Sequence, residues 1–141
     1  MNKPTRTIHT IFLHCSDSDR PSHDNIETVR GWHLARDFDD IGYHYFIRKN
    51  GEVKTGRDIN LIPASQRGHN TGSIAICLSG SKEFTQNQFK SLRGLIEDYE
   101  KVLGMSLKIR LHNEVNEGKT CPNFTLEEAG LNYCKAGEIK I

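Results

Sequence analysis

The sequence predicts a single α/β domain, a central mixed β-sheet flanked by helices with a functional site at its strand ends. Three observations predict it. The chain has 141 residues, enough for one hydrophobic core. It is 35% hydrophobic and 26% charged, a globular rather than a disordered composition. β-branched apolar runs alternate with helix-periodic segments in the order β-α-β-β-β-α-β-α, which calls for helices packed on the faces of a mixed sheet. No repeat or Pro/Ser-rich linker divides the chain, so residues 1–141 are read as one domain, with residues 1–7 expected to be loose.

The elements follow in order. Residues 8–13 are β-branched and apolar and predict a strand ending at His14. Asp24 with Glu27 predicts a helix start, and Ile26, Val29 and Trp32 then share one face to about Arg36. On that face Trp32 is expected in the core, with His33 as its exposed or half-buried neighbour. Residues 43–48 predict a strand; Asn50-Gly51 supplies the positive φ angles of a tight turn, and residues 52–55 return. Residues 73–79 are apolar on both faces, as a central strand requires.

The clearest helix starts at Thr85. Thr85 and Gln88 form a capping box, and Phe84 can pack on Phe89. Phe89, Leu92, Leu95, Ile96, Tyr99, Val102 and Leu103 repeat at helical spacing, and Gly104 is the expected stop. Leu107, Ile109 and Leu111 alternate as one more strand. Thr125 with Glu128 predicts a short last helix.

Composition excludes several classes. The formal net charge is +1, too small for the basic face of a nucleic-acid protein. No apolar run approaches the roughly 20 residues of a membrane span. Lys3 and Arg6 are followed by no apolar stretch, so no secretory signal is read and synthesis in the cytoplasm is expected. Cys15, Cys77, Cys121 and Cys134 form no C-x-x-C pair, which favours ligand or buried thiol roles over disulfides. Cys15 and Cys77 are expected to be buried, Cys134 to be an incidental thiol, and His44 to pack on the sheet face opposite Tyr43.

Three residues stand where strands end: His14, His112 and, nine residues later, Cys121. Two imidazoles and a thiolate suit Zn²⁺, and three protein ligands leave the fourth position of a catalytic site open. By ligand type and spacing alone, however, hydrogen-bonded histidines and a packed thiol are the better reading.

The surrounding segments alter that balance. Ile11-Phe12-Leu13-His14-Cys15-Ser16, Asp40-Ile41-Gly42-Tyr43-His44-Tyr45-Phe46-Ile47, Ser73-Ile74-Ala75-Ile76-Cys77-Leu78-Ser79-Gly80, and His112-Asn113-Glu114-Val115 with Lys119-Thr120-Cys121-Pro122 occur in this order. The series resembles the type-2 N-acetylmuramoyl-L-alanine amidases, which include phage lysozyme-type amidases and peptidoglycan recognition proteins. It covers roughly residues 8–130. The resemblance implies His14, His112 and Cys121 as zinc ligands, Tyr43 and Lys119 as catalytic groups, and Asn70 as a substrate-binding candidate; adjacent His69 either takes over as a substrate contact from the family's missing histidine or that contact is absent. It departs from the phage pattern in two places. Ser65 stands near the position of a histidine, and the stretch from His112 to Cys121 is slightly long, so residues 116–118 are expected to turn differently.

The implied activity is zinc-dependent hydrolysis of the amide between N-acetylmuramic acid and L-alanine in peptidoglycan, in the setting of a phage or prophage endolysin. The alternatives are a peptidoglycan-binding module that does not cut, or a secreted antibacterial effector. The enzyme is expected to be a monomer acting on the wall after membrane permeabilisation or specialised export. A protein partner, a polymerase or an immunity protein, is left open by the sequence.

Overall fold

β1 (Thr10–Cys15) and β4 (Ser73–Leu78) run side by side and parallel at the centre of the sheet, and every residue of both is buried. This computed structural model describes residues 1–116, 118–133 and 139–140. Outward from the central pair lie β2 (Tyr45–Ile47), parallel to β4, and β3 (Val53–Thr55), antiparallel to β2. On the other side β5 (Lys108–Leu111) runs parallel to β1. The order is β3-β2-β4-β1-β5, the expected mixed sheet. A separate antiparallel pair joins β6 (Asn132–Tyr133) to β7 (Ile139–Lys140).

Both faces of the sheet are covered, which is why its central strands read as continuous apolar runs. Helix α2 (Gln86–Leu103) covers one face. Its Phe89, Leu92, Leu95, Ile96 and Tyr99 pack with Ile11, Leu13, Ile74, Ile76 and Leu78. Each such buried side chain stabilises the fold by about 1.5–3 kcal/mol. Helix α1 (Ile26–Ala35) covers the other face, where Ile26 and Val29 meet Ile41, Phe46 and Cys77.

The ends of α2 are set by local chemistry. Gln88 N–H donates to Thr85 Oγ1 at 3.1 Å, and Thr85 N–H donates to Gln88 Oε1 at 2.9 Å. Gly104 closes the helix at φ 66°. The Gln88 amide, fully buried, also donates to Ser79 O at 2.8 Å, tying the helix start to the end of β4.

Several expectations are corrected. The cap of α1 is Asn25, whose Oδ1 accepts from Thr28 N–H; the Asp24 carboxylate is occupied by Lys49 N–H. Trp32 is 37% exposed and His33 is buried, the reverse of the expected order. At about 100° per residue, position 33 falls between 26 and 29 on the helix, while position 32 is displaced toward solvent. The Thr125–Glu128 capping contacts form, but only a turn follows, ended at Gly130. Arg93 Nη1 donates to Ala129 O there, satisfying a carbonyl that a continuing helix would have used.

Pro4 is buried and Arg6 Nε donates to Ile59 O, so the segment before β1 lies against the domain. Among the described residues no helix is long and apolar enough to cross a membrane. Cys134 lies outside the described residues, as does Glu117 of the turn expected at 116–118.

Candidate metal centre

The parallel register of β1 and β5 builds the site. Leu13 pairs with Leu111, so the next residues, His14 and His112, emerge side by side at the same end of the sheet. Their ring centroids are 4.6 Å apart. Cys121 arrives from the loop after β5, and its Sγ accepts the backbone N–H of Cys15 at 2.9 Å. Asn113 Nδ2 donates to Thr120 O and Pro122 O at 3.2 and 3.4 Å, holding that loop on both sides of Cys121. The ligand atoms of His14, His112 and Cys121 all lie within 4.8 Å of one another.

The donor set fits a metal. His14 is fully buried; its Nε2 is 2.8 Å from Gln66 Oε1, yet its Nδ1 has no hydrogen-bond partner. A buried polar atom left in this way is costly unless something else satisfies it. Burial, with the neighbouring His112, lowers the His14 pKa to about 3, so the ring is neutral and its free nitrogen is a lone pair. Burial likewise lowers the pKa of His112, whose Nε2 is 2.8 Å from Asn116 Oδ1. The neighbouring Cys15 thiol and burial push the Cys121 thiol up, while the Cys15 N–H directed at its Sγ works the other way, so the thiolate would form as a metal takes the place of its proton. Two neutral imidazoles and one thiolate are the donors zinc takes.

Tyr43 precedes β2 and sets its ring 5.0 Å from that of His14 and 5.2 Å from that of His33. Burial pushes its phenol well above the ordinary value, so it remains a hydroxyl donor. Gly42, just before it, has no room for a side chain: a Cβ would stand 2.1 Å from Ala64 O. Its N–H donates to His33 Nδ1 at 2.8 Å, which packs α1 against the Tyr43 segment. Lys119 is exposed on the rim.

These groups border a cleft of about 1010 Å³ whose lining also includes Trp32, Arg36, Phe38, Arg67 and Asn70. Asn70 Oδ1 accepts the backbone N–H groups of Ser65 and Gln66 at 3.1 and 3.0 Å, so its oxygen shapes the loop that carries them. His69 is exposed, packs near Phe12, and lies outside the cleft lining. Cys15 and Cys77 are buried as expected. His44 is buried too, accepting from Ala75 N–H and contacting Leu61 O. The sequence did not point to Gln66 or Asn116, which touch the two histidines; Gln66 stands 52 residues from His14 in no recognisable pattern. Asn116 carried a weak signal, lying four residues after His112.

Comparison with known proteins gives the family and the fold. The sequence profile of the N-acetylmuramoyl-L-alanine amidases matches residues 4–124. An endolysin of Enterobacteria phage T3 is 33% identical over 133 residues, covering 89% of this chain and 87% of the phage protein. An endolysin of Escherichia phage T7 is 32% identical over 137 residues, with the same coverages. The solved structure of the N-acetylmuramoyl-L-alanine amidase LysC from Clostridium intestinale superposes with a TM-score of 0.76 at 25% identity, covering 88% of this chain and 83% of LysC. With a family match over most of its length, a mixed sheet in common and a His-His-Cys cluster at the strand ends, this chain belongs to the N-acetylmuramoyl-L-alanine amidase family.

Proposed function

We propose that the protein is a zinc-dependent endolysin that hydrolyses the amide between N-acetylmuramic acid and the L-alanine of the peptidoglycan stem. The single observation that carries the zinc requirement is the unpartnered Nδ1 of fully buried His14, beside His112 and Cys121. The endolysin role is supported by relatives of that name matched over nearly their whole length.

His14, His112 and Cys121 would hold the metal. Zinc, when bound in a site with an open position, supplies a Lewis acid and makes water a nucleophile near neutral pH. The remaining work falls to this chain's own groups. An amide carbonyl under attack gathers negative charge on its oxygen. The Lys119 ammonium, which lines the cleft, would stabilise that charge, and the Tyr43 hydroxyl, still protonated, would donate to it. Tyr43 can also pass a proton toward the departing amine of L-alanine, which must be protonated to leave. Trp32, Phe38 and the cationic Arg36 and Arg67 line the cleft and would position the glycan and peptide.

Mass spectrometry of digested peptidoglycan tests the reaction. The expected products are free stem peptides beginning with L-alanine and intact glycan chains. New reducing sugar ends in their place would make the protein a glycosidase and overturn the proposal. An intact wall retained by zinc-loaded protein would instead make it a binding module.

A further inference from the structure

Both histidines of the cluster are held by side-chain amides, and the orientation of each amide can be read from its other contacts. Gln66 is fully buried. Its Nε2 faces the His69 carbonyl at 3.3 Å and Ser73 Oγ at 2.6 Å, and Ser73 Oγ in turn donates to Asn70 O at 2.8 Å. A carbonyl can only accept, so the amide NH₂ must point that way. The other end of Gln66 is therefore its carbonyl oxygen. It accepts from Ser65 Oγ at 2.6 Å and faces His14 Nε2 at 2.8 Å. An imidazole nitrogen against a carbonyl oxygen must carry the proton, which leaves the lone pair of His14 on Nδ1.

Asn116 repeats the logic. Its Nδ2 donates to the Arg67 carbonyl at 2.8 Å, so its Oδ1 is the atom 2.8 Å from His112 Nε2. His112 thus carries its proton on Nε2 and its lone pair on Nδ1. One loop serves both ligands. Gln66 contacts His14 directly, and the adjacent Arg67 carbonyl fixes Asn116 against His112. Asn70 clamps that loop through the N–H groups of Ser65 and Gln66.

Resting on the zinc function proposed above, we propose that Gln66 and Asn116 are positioning residues that lock both histidines as Nε2–H tautomers and present two Nδ1 lone pairs to the metal. Outer partners of this kind typically change metal affinity about 10–100-fold when removed.

Two measurements test this. Long-range ¹H–¹⁵N correlation spectra of the metal-free wild-type protein at neutral pH should show His14 and His112 with the proton on Nε2. Competition with a chromophoric chelator should show zinc bound about 10–100-fold more weakly by Gln66→Leu and by Asn116→Ala. Gln66→Glu should keep the wild-type affinity, because a carboxylate accepts the His14 proton although it loses the donors to Ser73 and His69. A merely structural role predicts the opposite, that Gln66→Glu fails as Gln66→Leu does. An Nδ1–H tautomer at either histidine in the wild type overturns the proposal. So does unchanged zinc affinity in a folded Gln66→Leu protein, or equal losses in the Leu and Glu variants. If Gln66→Leu does not fold, half-buried Asn116 and the wild-type spectra still decide. A wild-type protein that takes up no zinc overturns the proposed function and this inference together; zinc uptake indifferent to both amides overturns the inference alone.

Discussion

The backbone N–H of Cys15 donates to Sγ of Cys121 at 2.9 Å across 106 residues of sequence. The sulfur therefore docks on the end of the strand that carries His14. The loop after β5 and the end of β1 thus meet at one site, although neither has a reason to meet the other in the unfolded chain. A ligand constellation fixed on a sheet in this way loses little entropy when a metal arrives.

Removing any ligand should remove the metal. His14→Ala, His112→Ala and Cys121→Ser are each expected to purify with little zinc and to lose wall lysis, while circular dichroism stays that of the wild type. Elemental analysis of the purified proteins checks this. Stoichiometric zinc in any of the three would take that residue out of the ligand set.

Tyr43 and Lys119 should separate binding from turnover. Tyr43→Phe and Lys119→Ala are expected to keep zinc and to release stem peptides about a hundredfold or more slowly, the usual consequence of losing one donor to a developing oxyanion. Rates on purified peptidoglycan at saturating substrate are the measurement. Wild-type rates in both variants would remove these residues from the chemistry.

Trp32 should matter for substrate rather than for stability. It is 37% exposed, lines the cleft, and meets His23 edge-on at 5.0 Å. A core tryptophan cut to alanine costs about 3–5 kcal/mol. Trp32→Ala is expected to cost well under that and to raise KM more than it lowers kcat. Denaturant unfolding and steady-state kinetics on soluble wall fragments distinguish the two; a loss in the core range would return Trp32 to the interior.

His44 should make the fold acid-sensitive. Burial lowers its pKa from 6.5 to about 4, and its Nδ1 accepts from Ala75 N–H, a bond only the unprotonated nitrogen can make. The unfolded chain takes a proton near pH 6.5 and the folded chain does not. Stability from this group is thus fully present above pH 6.5 and is lost as pH falls toward 4, a change on the order of 3 kcal/mol. His44→Asn, which keeps an acceptor but cannot titrate, should reduce the slope of unfolding free energy against pH over this window, leaving the share that buried His14 contributes. An unchanged slope would show that other groups set the acid response.

The elements legible in the sequence are those whose signals are local. Thr85, Gln88 and Gly104 mark the ends of α2 because their contacts lie within one helical turn. Residues 73–78 announce a central strand because both faces are apolar. The grouping of His14, His112 and Cys121, with Tyr43 and Lys119 at the same cleft, was signalled by ordered motifs rather than by spacing. The rotation of α1 was not, since packing chose His33 over Trp32 for the interior. Nor was the cap at Asn25, because Asp24 was drawn away by the Lys49 backbone. Composition, the main elements and the identity of the candidate donor residues were thus set by the sequence alone. Their convergence, and the amides that aim them, came only with the fold. The parallel register Leu13–Leu111 brings His14 beside His112, and the loop at 65–70 then reaches both, through contacts 52 and 49 residues apart that no local pattern encodes.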